Sequence, residues 1–181
     1  EIIDYRISPM TATADQQAAQ NRLKIRVNVR FTNKKTEKDE VSSLSVYIYH
    51  TDKPKIEEFV YQKKKLDSVI TFNYTSQKDS SKIIDIEFYL KSNIFNFGGE
   101  NFILSKSKII YKDKISGMDF YYYVLENPSI DGTGPILFNK DYGLLAIFNV
   151  FGPMLIFRKE NDINNYNEDV FINLKNYNSN Y

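Results

Sequence analysis

The chain contains no cysteine and no tryptophan, and His50 is its only histidine. Without cysteine the chain can form no disulfide, no thiolate metal site and no thiol nucleophile. A single histidine cannot complete a typical zinc or copper site, and no G-x-S-x-G sequence accompanies it to indicate a serine hydrolase. We therefore predict a protein that is not an enzyme and that carries no cofactor and no metal ion.

An excess of charge and a long hydrophobic run are lacking as well. The 24 Lys and Arg residues nearly cancel the 23 Asp and Glu residues, which leaves a formal net charge of +1. Such a balance creates no broad field that would attract nucleic acid or an anionic membrane. The longest apolar stretch, residues 144–157, is interrupted by Asn149, Gly152 and Pro153 and is shorter than the roughly 20 residues of a spanning helix. The sequence predicts neither a nucleic-acid partner nor a transmembrane segment.

The chain does contain many aromatic residues, 15% of the total, and a repeated alternation of apolar and polar residues. In the clearest case every second residue from Leu23 to Phe31 is apolar and the residues between them are polar. A period of two is typical of a strand with one buried and one solvated face, whereas a helix would scatter the same apolar residues around its axis. Residues 22–32 are therefore predicted to form a strand.

Further strands are predicted throughout the chain, at 2–7, 44–49, 57–61, 69–74, 83–90, 102–111, 119–125, 135–138, 144–151, 154–158 and 169–174. Turn residues separate these segments, and no long helical period intervenes. This spacing favours an all-β antiparallel sandwich over an α/β fold. We predict a sandwich domain over residues 1–126. Residues 127–181 are predicted to form a C-terminal β-hairpin extension with an Asn-rich tail, packed on the sandwich.

Three segments carry a resemblance to a known family, namely NRLKIRVNVRFTN at 21–33, IDIEFYLKSN at 84–93 and GGENFILSKSKIIYKDKISGMDFYYY at 98–123. In the rhythm of their strands they resemble the immunoglobulin-like sandwich modules of cell-envelope proteins and lipoproteins of Gram-negative bacteria. The likeness covers a little over half of the chain, without the Cys–Trp–Cys trio of antibody domains. It implies an antiparallel immunoglobulin-like sandwich and export to the periplasm or cell surface, and it implies no activity.

Four consecutive aromatic residues, from Phe120 to Tyr123, place rings on both faces of one predicted strand. If one pair fills the core, Tyr121 and Tyr123 are either exposed or covered by another element. Exposed rings bind sugars by stacking, so Tyr121 and Tyr123 are candidate ligand-binding residues for a glycan. Packing beneath the C-terminal unit is the alternative.

Carboxylates offer two further hypotheses. A glycosidase needs two carboxyl groups across a cleft, but Asp85 and Glu87 alternate with apolar residues and fit the solvated face of one strand. The segments 131–134 and 162–169 group oxygen ligands of the kind that calcium prefers, without the spacing of an EF-hand. We expect solvated surfaces at these places, and a carboxylate-dependent hydrolase would need a deep pocket with paired acids.

Residues 144–157 are apolar on both faces, which is unusual for the edge hairpin of a solvated sandwich. Leu144, Ala146 and Phe148 are predicted to share one face, and Phe151 is predicted to lie on the other. Either the hairpin is buried beneath another layer, or it contacts a protein partner or a second copy of the chain. In the second case Phe148 and Phe151 would lie at the interface.

The sequence thus predicts a non-enzymatic protein exported to the periplasm or cell surface, where its sandwich would serve binding or assembly. The first residue is Glu1 rather than Met, which fits a chain that was cut either by a signal peptidase or when the fragment was prepared, and a lipid anchor in an upstream segment stays open. The alternative is a carbohydrate-binding module that uses exposed tyrosines, with or without calcium.

Overall fold

The computed structural model describes residues 39–51, 53–128, 132–149, 151–159 and 164–178, the last range with the side chains of 167–177. These residues belong to one unit, which spans Thr36–Tyr181. The strands predicted at 2–7 and 22–32 lie outside the described residues.

The described residues form eleven β-strands and one α-helix. The strands are β1 (Glu40–Tyr49), β2 (Lys55–Leu66), β3 (Val69–Ser76), β4 (Ile83–Tyr89), β5 (Ile94–Phe97), β6 (Glu100–Leu104), β7 (Ile110–Lys112), β8 (Asp119–Leu125), β9 (Thr133–Asn139), β10 (Gly143–Asn149) and β11 (Met154–Arg158). The helix, α1, spans Asn164–Asn178. In this part of the chain, no helix has both the length and the apolar content needed to span a bilayer.

The strands form one antiparallel sheet that closes on itself. Strands that follow one another along the chain are neighbours from β1 to β6 and from β7 to β11. β11 also pairs with β1, where Phe157 lies opposite Val46, and β6 pairs with β8, where Phe102 lies opposite Leu125. These two pairings join ten strands into a closed barrel, with β7 added alongside β8. The predicted immunoglobulin-like sandwich is therefore wrong, and the fold is a closed antiparallel β-barrel.

The alternation of residues specifies the face of a strand but leaves its pairing partners open. On β4, Ile86 and Phe88 face the buried interior while Asp85 and Glu87 are exposed, as the period of two predicts. The same alternation serves a sandwich and a barrel equally well. The difference lies in two pairings, that of β1 with β11, the first and last strands of the described chain, and that of β6 with β8.

The strands that follow residue 126 belong to the same sheet as those that precede it. β9 pairs with β8, where Ile136 lies opposite Tyr123, and β11 pairs with β1. Residues on both sides of the predicted boundary at 126 therefore build one barrel together.

Aromatic side chains fill most of the barrel interior. The ring centroids of Phe95 and Phe138 are 4.9 Å apart, and those of Phe72 and Phe88 each lie 5.2 Å from that of Phe138. Such tilted and edge-on contacts each contribute about 0.5–1.5 kcal/mol beyond the area that they bury. The interior is thus a packed core along most of its length.

Helix α1 covers part of the outer surface of the barrel. Val170, Leu174 and Tyr177 are buried and follow one another by four and three residues, which places them on one face of the helix. Tyr177 stacks on Tyr122 of β8, with 5.2 Å between ring centroids and an interplanar angle of 12°. The strand predicted at 169–174 is wrong, because this helical spacing prevails over a short run of alternation.

The strands of the β10–β11 hairpin bury residues on both of their faces, whereas Phe151 at its tip is exposed. A β-bulge between Leu144 and Ala146 changes the phase of β10. Leu144 and Ile147 therefore belong to the interior core, while Leu145 and Ala146 belong to the cluster packed with α1. The prediction that Leu144 and Ala146 share a face is wrong, because a bulge inserts an extra residue into the alternation.

A buried ion pair joins α1 and the β7–β8 turn to the barrel. Arg158 of β11 is 0% exposed, its Nη1 donates to Oδ1 of Asp113 at 2.9 Å, and its Nε donates to Oδ1 of Asn167 at 2.9 Å. The second oxygen of Asp113 accepts hydrogen bonds from the backbone N–H and the hydroxyl of Ser116 at 2.9 and 2.8 Å. Three separate elements are therefore held by one guanidinium and one carboxylate.

The end of the barrel at which β1 begins is covered by lysine stems and aromatic rings. Nζ of Lys159 lies 4.1 Å from the ring centroid of Tyr61 and 4.8 Å from that of Tyr142. Lys63 donates to the backbone carbonyl of Asp141 at 3.0 Å. Cation–π contacts of this kind let lysine stems lie over rings while the ammonium groups remain solvated. At the opposite end of the barrel, where β1 ends, the described residues do not cover the interior in this way.

Candidate ligand-binding site at one end of the barrel

A cavity of about 310 Å³ opens at the end of the barrel where β1 ends and where β2, β4 and β11 begin. Its apolar wall consists of Val46, Ile48, Phe59, Ile83, Ile84, Pro153 and Leu155. Its polar lining consists of His50, Lys55, Glu57 and Lys82. An apolar concavity with a few convergent polar groups has the composition of a small-molecule site.

The cavity forms because aliphatic and small side chains replace aromatic rings at this level of the barrel. Ile48 of β1 lies opposite Leu155 of β11, and both line the cavity. On β3 the buried inward position next to Phe59 is occupied by Ser76 rather than by a ring. Close packing of a barrel interior needs large side chains, so these smaller ones leave volume unfilled.

Glu57 places a charge at an inward-facing position. It shares the inward face of β2 with Phe59 and Tyr61 and is 5% exposed. Nζ of Lys55 donates to Oε1 of Glu57 at 2.6 Å, and Nζ of Lys82 lies 3.2 Å from each of the two carboxylate oxygens. A carboxylate in such a position is costly unless it is paired, and the two ammonium groups supply the pairing. Lys55, Glu57 and Lys82 are called the rim cluster below.

The β3–β4 turn brings Lys82 to the cavity. The carboxylate of Asp79 accepts hydrogen bonds from the N–H and the hydroxyl of Ser81 at 3.1 and 2.7 Å. The N–H of Lys82 donates to the carbonyl of Asp79 at 3.0 Å, and the N–H of Ser76 donates to the carbonyl of Lys82 at 3.1 Å. This bonded turn lets Lys82 reach Glu57 on β2 across the intervening strand β3.

The rim cluster carries more positive than negative charge, since two ammonium groups face one carboxylate. The hydrogen bond from Lys55 lowers the pKa of Glu57 below its ordinary value, and the bond from Lys82 acts in the same direction although burial opposes both. Glu57 is therefore ionised at neutral pH. The side chains of Lys55 and Lys82 are 59% and 49% exposed, so their ammonium groups can be reached from solvent.

The structure separates the two tyrosines that the sequence suggests as ligand-binding residues. Tyr123 is buried in the barrel core with its ring 5.8 Å from that of Phe95, and burial raises its pKa to about 12. Tyr121 is 38% exposed and lies opposite Ile110 of β7. The two rings therefore do not share an exposed platform, and a glycan-binding role for them stays a prediction.

The two phenylalanines predicted at a partner interface differ in exposure. Phe151, at the tip of the β10–β11 hairpin, is 78% exposed. Phe148 is half-buried and packs against the cluster beneath α1. Of the two, Phe151 is the side chain that could reach another molecule without rearrangement. A protein partner or self-association through the hairpin stays a prediction.

His50 lies at the mouth of the cavity, whereas Asp85 and Glu87 lie on the outer face of the barrel. His50 is exposed at the bend that follows β1, as expected of a residue at a strand end, and it also lines the cavity. Asp85 and Glu87 lie on the exposed outer face of β4, where Asp85 accepts a hydrogen bond from Asn73. The acidic pair is therefore remote from the inward-facing groups that form the cavity.

The two acidic segments considered for calcium, 131–134 and 162–169, lie partly outside the described residues. In the described part of the second, the carboxylate of Asp169 pairs with Nζ of Lys114 at 2.5 Å. Across the described ranges of the chain, no three His, Asp or Glu side chains gather closely enough to hold a metal ion.

The rim cluster was not among the candidates drawn from the sequence. The sequence does contain a signal for Glu57. With a period of two, Glu57 falls on the same face of the strand as Phe59 and Tyr61, whereas Glu58 and Val60 fall on the opposite, exposed face. A charged residue in step with buried rings is unusual and indicates either a paired charge or a site. Lys82 offered no such signal, since its approach to Glu57 depends on the β3–β4 turn.

Fold and cavity together define the class of the protein, a closed antiparallel β-barrel with an apolar cavity at one end. Closed barrels recur as ligand-binding proteins, and their mouths are frequent ligand sites. Comparison with protein-family models, curated proteins and solved structures finds no match to this chain.

Proposed function

We propose that this chain is a non-enzymatic binding protein that holds a small amphipathic molecule at the open end of its barrel. The observation that carries the proposal is the joint presence of an apolar cavity of about 310 Å³ and a charged rim cluster. At the density of liquid water, at about 30 Å³ per molecule, this volume holds about ten water-sized groups. The cavity thus suits a ligand of roughly ten non-hydrogen atoms, most of them apolar.

The layering of the cavity supports an amphipathic ligand. Val46 and Phe59 are buried, while Ile48 and Leu155 are half-buried and flank them. Glu57 is buried opposite Val46, and the lysines that pair with it, Lys55 and Lys82, are partly exposed at the edge of the cavity. An apolar chain placed against the wall would bury apolar surface, and each Å² that is removed from water contributes about 25 cal/mol to the free energy of binding. Its polar end would remain at the rim.

The lining favours binding over catalysis. A carboxylate-dependent hydrolase uses two carboxyl groups across its substrate, and among the described residues Glu57 is the single carboxylate that lines this cavity. A general acid also needs a pKa near the working pH, whereas the two lysines lower the pKa of Glu57. Glu57 is thus better suited to hold charges in place than to transfer a proton.

Filling the cavity tests this proposal. Octanoate and octan-1-ol match the cavity in size, and we expect at least one of them to shift the methyl resonances of Ile48, Ile84 and Leu155 saturably in a titration followed by NMR. Ile84→Phe places a ring in the cavity and is expected to weaken that binding about tenfold or more, because the ligand loses its apolar contact.

The matched control is Ile110→Phe, which makes the same change at an exposed position on β7 outside the cavity lining. This variant should bind the probes as the original chain does. Folding of both variants is checked by their thermal unfolding. If neither probe produces a saturable shift in the folded original chain, the proposed function is wrong.

Export to the cell envelope is a separate part of the proposal. It rests on the strand rhythm of segments 21–33, 84–93 and 98–123 alone, because the sandwich fold of the envelope modules is replaced here by a closed barrel. Sequencing the gene upstream of the codon for Glu1 tests it. We expect a signal sequence there, and a gene that lacks one would contradict export.

A further inference from the structure

We infer that the ligand of this cavity is a monoanion whose carboxylate-type head group is held by Lys55 and Lys82 in competition with Glu57. The inference rests on the proposed binding function and adds the charge of the ligand to it. It is carried by the geometry of the rim cluster, by its excess of positive charge and by the exposure of its two lysines.

The two ammonium groups converge on one point from different elements. Lys55 belongs to β2 and Lys82 to the turn before β4, yet both contact the carboxylate of Glu57, at 2.6 Å and 3.2 Å. Each ammonium group has three N–H donors, and one carboxylate does not use them all. A second carboxylate at the rim could therefore accept hydrogen bonds from both lysines at once.

The charge of the rim cluster discriminates among ligands of the same shape. Its two lysines and one carboxylate have a net charge of +1. A monoanion would neutralise this charge, whereas a cation would add a third positive charge beside the lysines. A neutral head group would leave the imbalance unchanged. The apolar wall alone would not distinguish among these ligands, because it contacts only the apolar chain.

Glu57 occupies the lysines when no ligand is bound. Its carboxylate accepts hydrogen bonds from both ammonium groups, which are the groups that an incoming anion would use. Glu57→Gln keeps the shape of the side chain and removes its charge. This change should therefore free both lysines and strengthen the binding of an anion, which a purely structural role of Glu57 would not predict.

The experiment measures dissociation constants by methyl NMR at pH 7 for three probes, namely octanoate, octan-1-ol and octylamine. We expect octanoate to bind about tenfold more tightly than octan-1-ol, and octylamine to bind most weakly. Lys55→Met and Lys82→Met should each weaken octanoate binding about threefold to tenfold and leave octan-1-ol within about twofold. Glu57→Gln should tighten octanoate binding by a similar factor.

Lys106→Met serves as the matched control, because it removes the same charge from an exposed lysine outside the cavity lining. It should leave the affinity for all three probes unchanged. Equal binding of octanoate and octan-1-ol, with no response to the lysine variants, overturns the anionic ligand and leaves the proposed function standing. Absence of binding by every probe overturns both. Octanoate binding that persists in Ile84→Phe places the anion outside the cavity and overturns the anionic ligand, and the proposed function is overturned with it if octan-1-ol binding persists as well.

Discussion

Asp113→Ala is expected to lower the free energy of unfolding by about 3 to 5 kcal/mol. The variant leaves the guanidinium of Arg158, which is 0% exposed, without its counter-charge. Within the described residues Nη2 of Arg158 has no hydrogen-bond partner, so the charge of the variant is left with only the bond from Nε to Asn167. The hydrogen bonds from Ser116 to Asp113 are lost as well. Urea unfolding followed by circular dichroism measures the change.

Two further variants show whether burial of the charge causes the loss. Asp113→Ala combined with Arg158→Met removes both charges and should recover at least half of the loss, because buried pairs are often replaced by apolar residues without penalty. Lys64→Ala breaks the exposed ion pair with Asp39, which spans 3.5 Å, and should change stability by less than about 1 kcal/mol. A loss below about 1 kcal/mol for Asp113→Ala alone would show that water reaches the pair.

Gly143→Ala is expected to lower the free energy of unfolding by about 2 to 5 kcal/mol, from overpacking and from an unfavourable backbone conformation. Gly143 has φ of +101°, as expected for the turn between β9 and β10. A Cβ there would overlap the hydroxyl of Tyr74 and lie 3.2 Å from the ring of Tyr61. Tyr74 is itself fixed, since it is buried and its Oη accepts a hydrogen bond from the N–H of Leu144 at 2.8 Å.

Gly98→Ala separates the two causes. Gly98 also has a positive φ, +61°, but a Cβ at this position would meet no atom within 4 Å. Its substitution should therefore cost about 1 kcal/mol, from the backbone alone. Thermal unfolding of both variants gives the comparison. Equal losses of unfolding free energy in Gly98→Ala and Gly143→Ala would mean that Tyr74 moves aside and that the barrel interior is loosely packed around Gly143.

Strands with a regular alternation were predictable from the sequence, and the closure of the sheet was not. The strands predicted at 119–125 and 154–158 match β8 and β11 residue for residue. Closure requires β1 to pair with β11 and β6 to pair with β8. These contacts join residues far apart in the chain, and a period of two carries no information about them.

The helix was missed although the sequence contained a signal for it. Residues 169–174 alternate between apolar and polar over a length too short to separate a strand from a helix. Asn167, Val170, Leu174 and Tyr177 lie three, four and three residues apart, and all four are buried on one side of α1. The pattern was obscured because Asn167 is polar and contributes through its hydrogen bond to Arg158.

The candidate site was predictable only in part. The inward phase of Glu57 could be read from the strand pattern, because Phe59 and Tyr61 follow it at intervals of two. The cavity beside it could not, since it results from Ile48, Leu155 and other side chains that are brought together by sheet closure. The residues that line the cavity come from three segments, 46–59, 82–84 and 153–155, which only the closed barrel brings together.

Intermolecular NOEs between bound octanoate and the methyl groups of the chain test the ligand cavity most directly. We expect the terminal methyl of octanoate to contact Val46 and the ring of Phe59, and the methylene next to its carboxylate to contact Ile83 and Leu155, which lie nearer to Lys55 and Lys82. Contacts confined to exposed apolar residues away from the cavity, such as Ile109 and Ile110, would contradict a ligand site at the open end of the barrel.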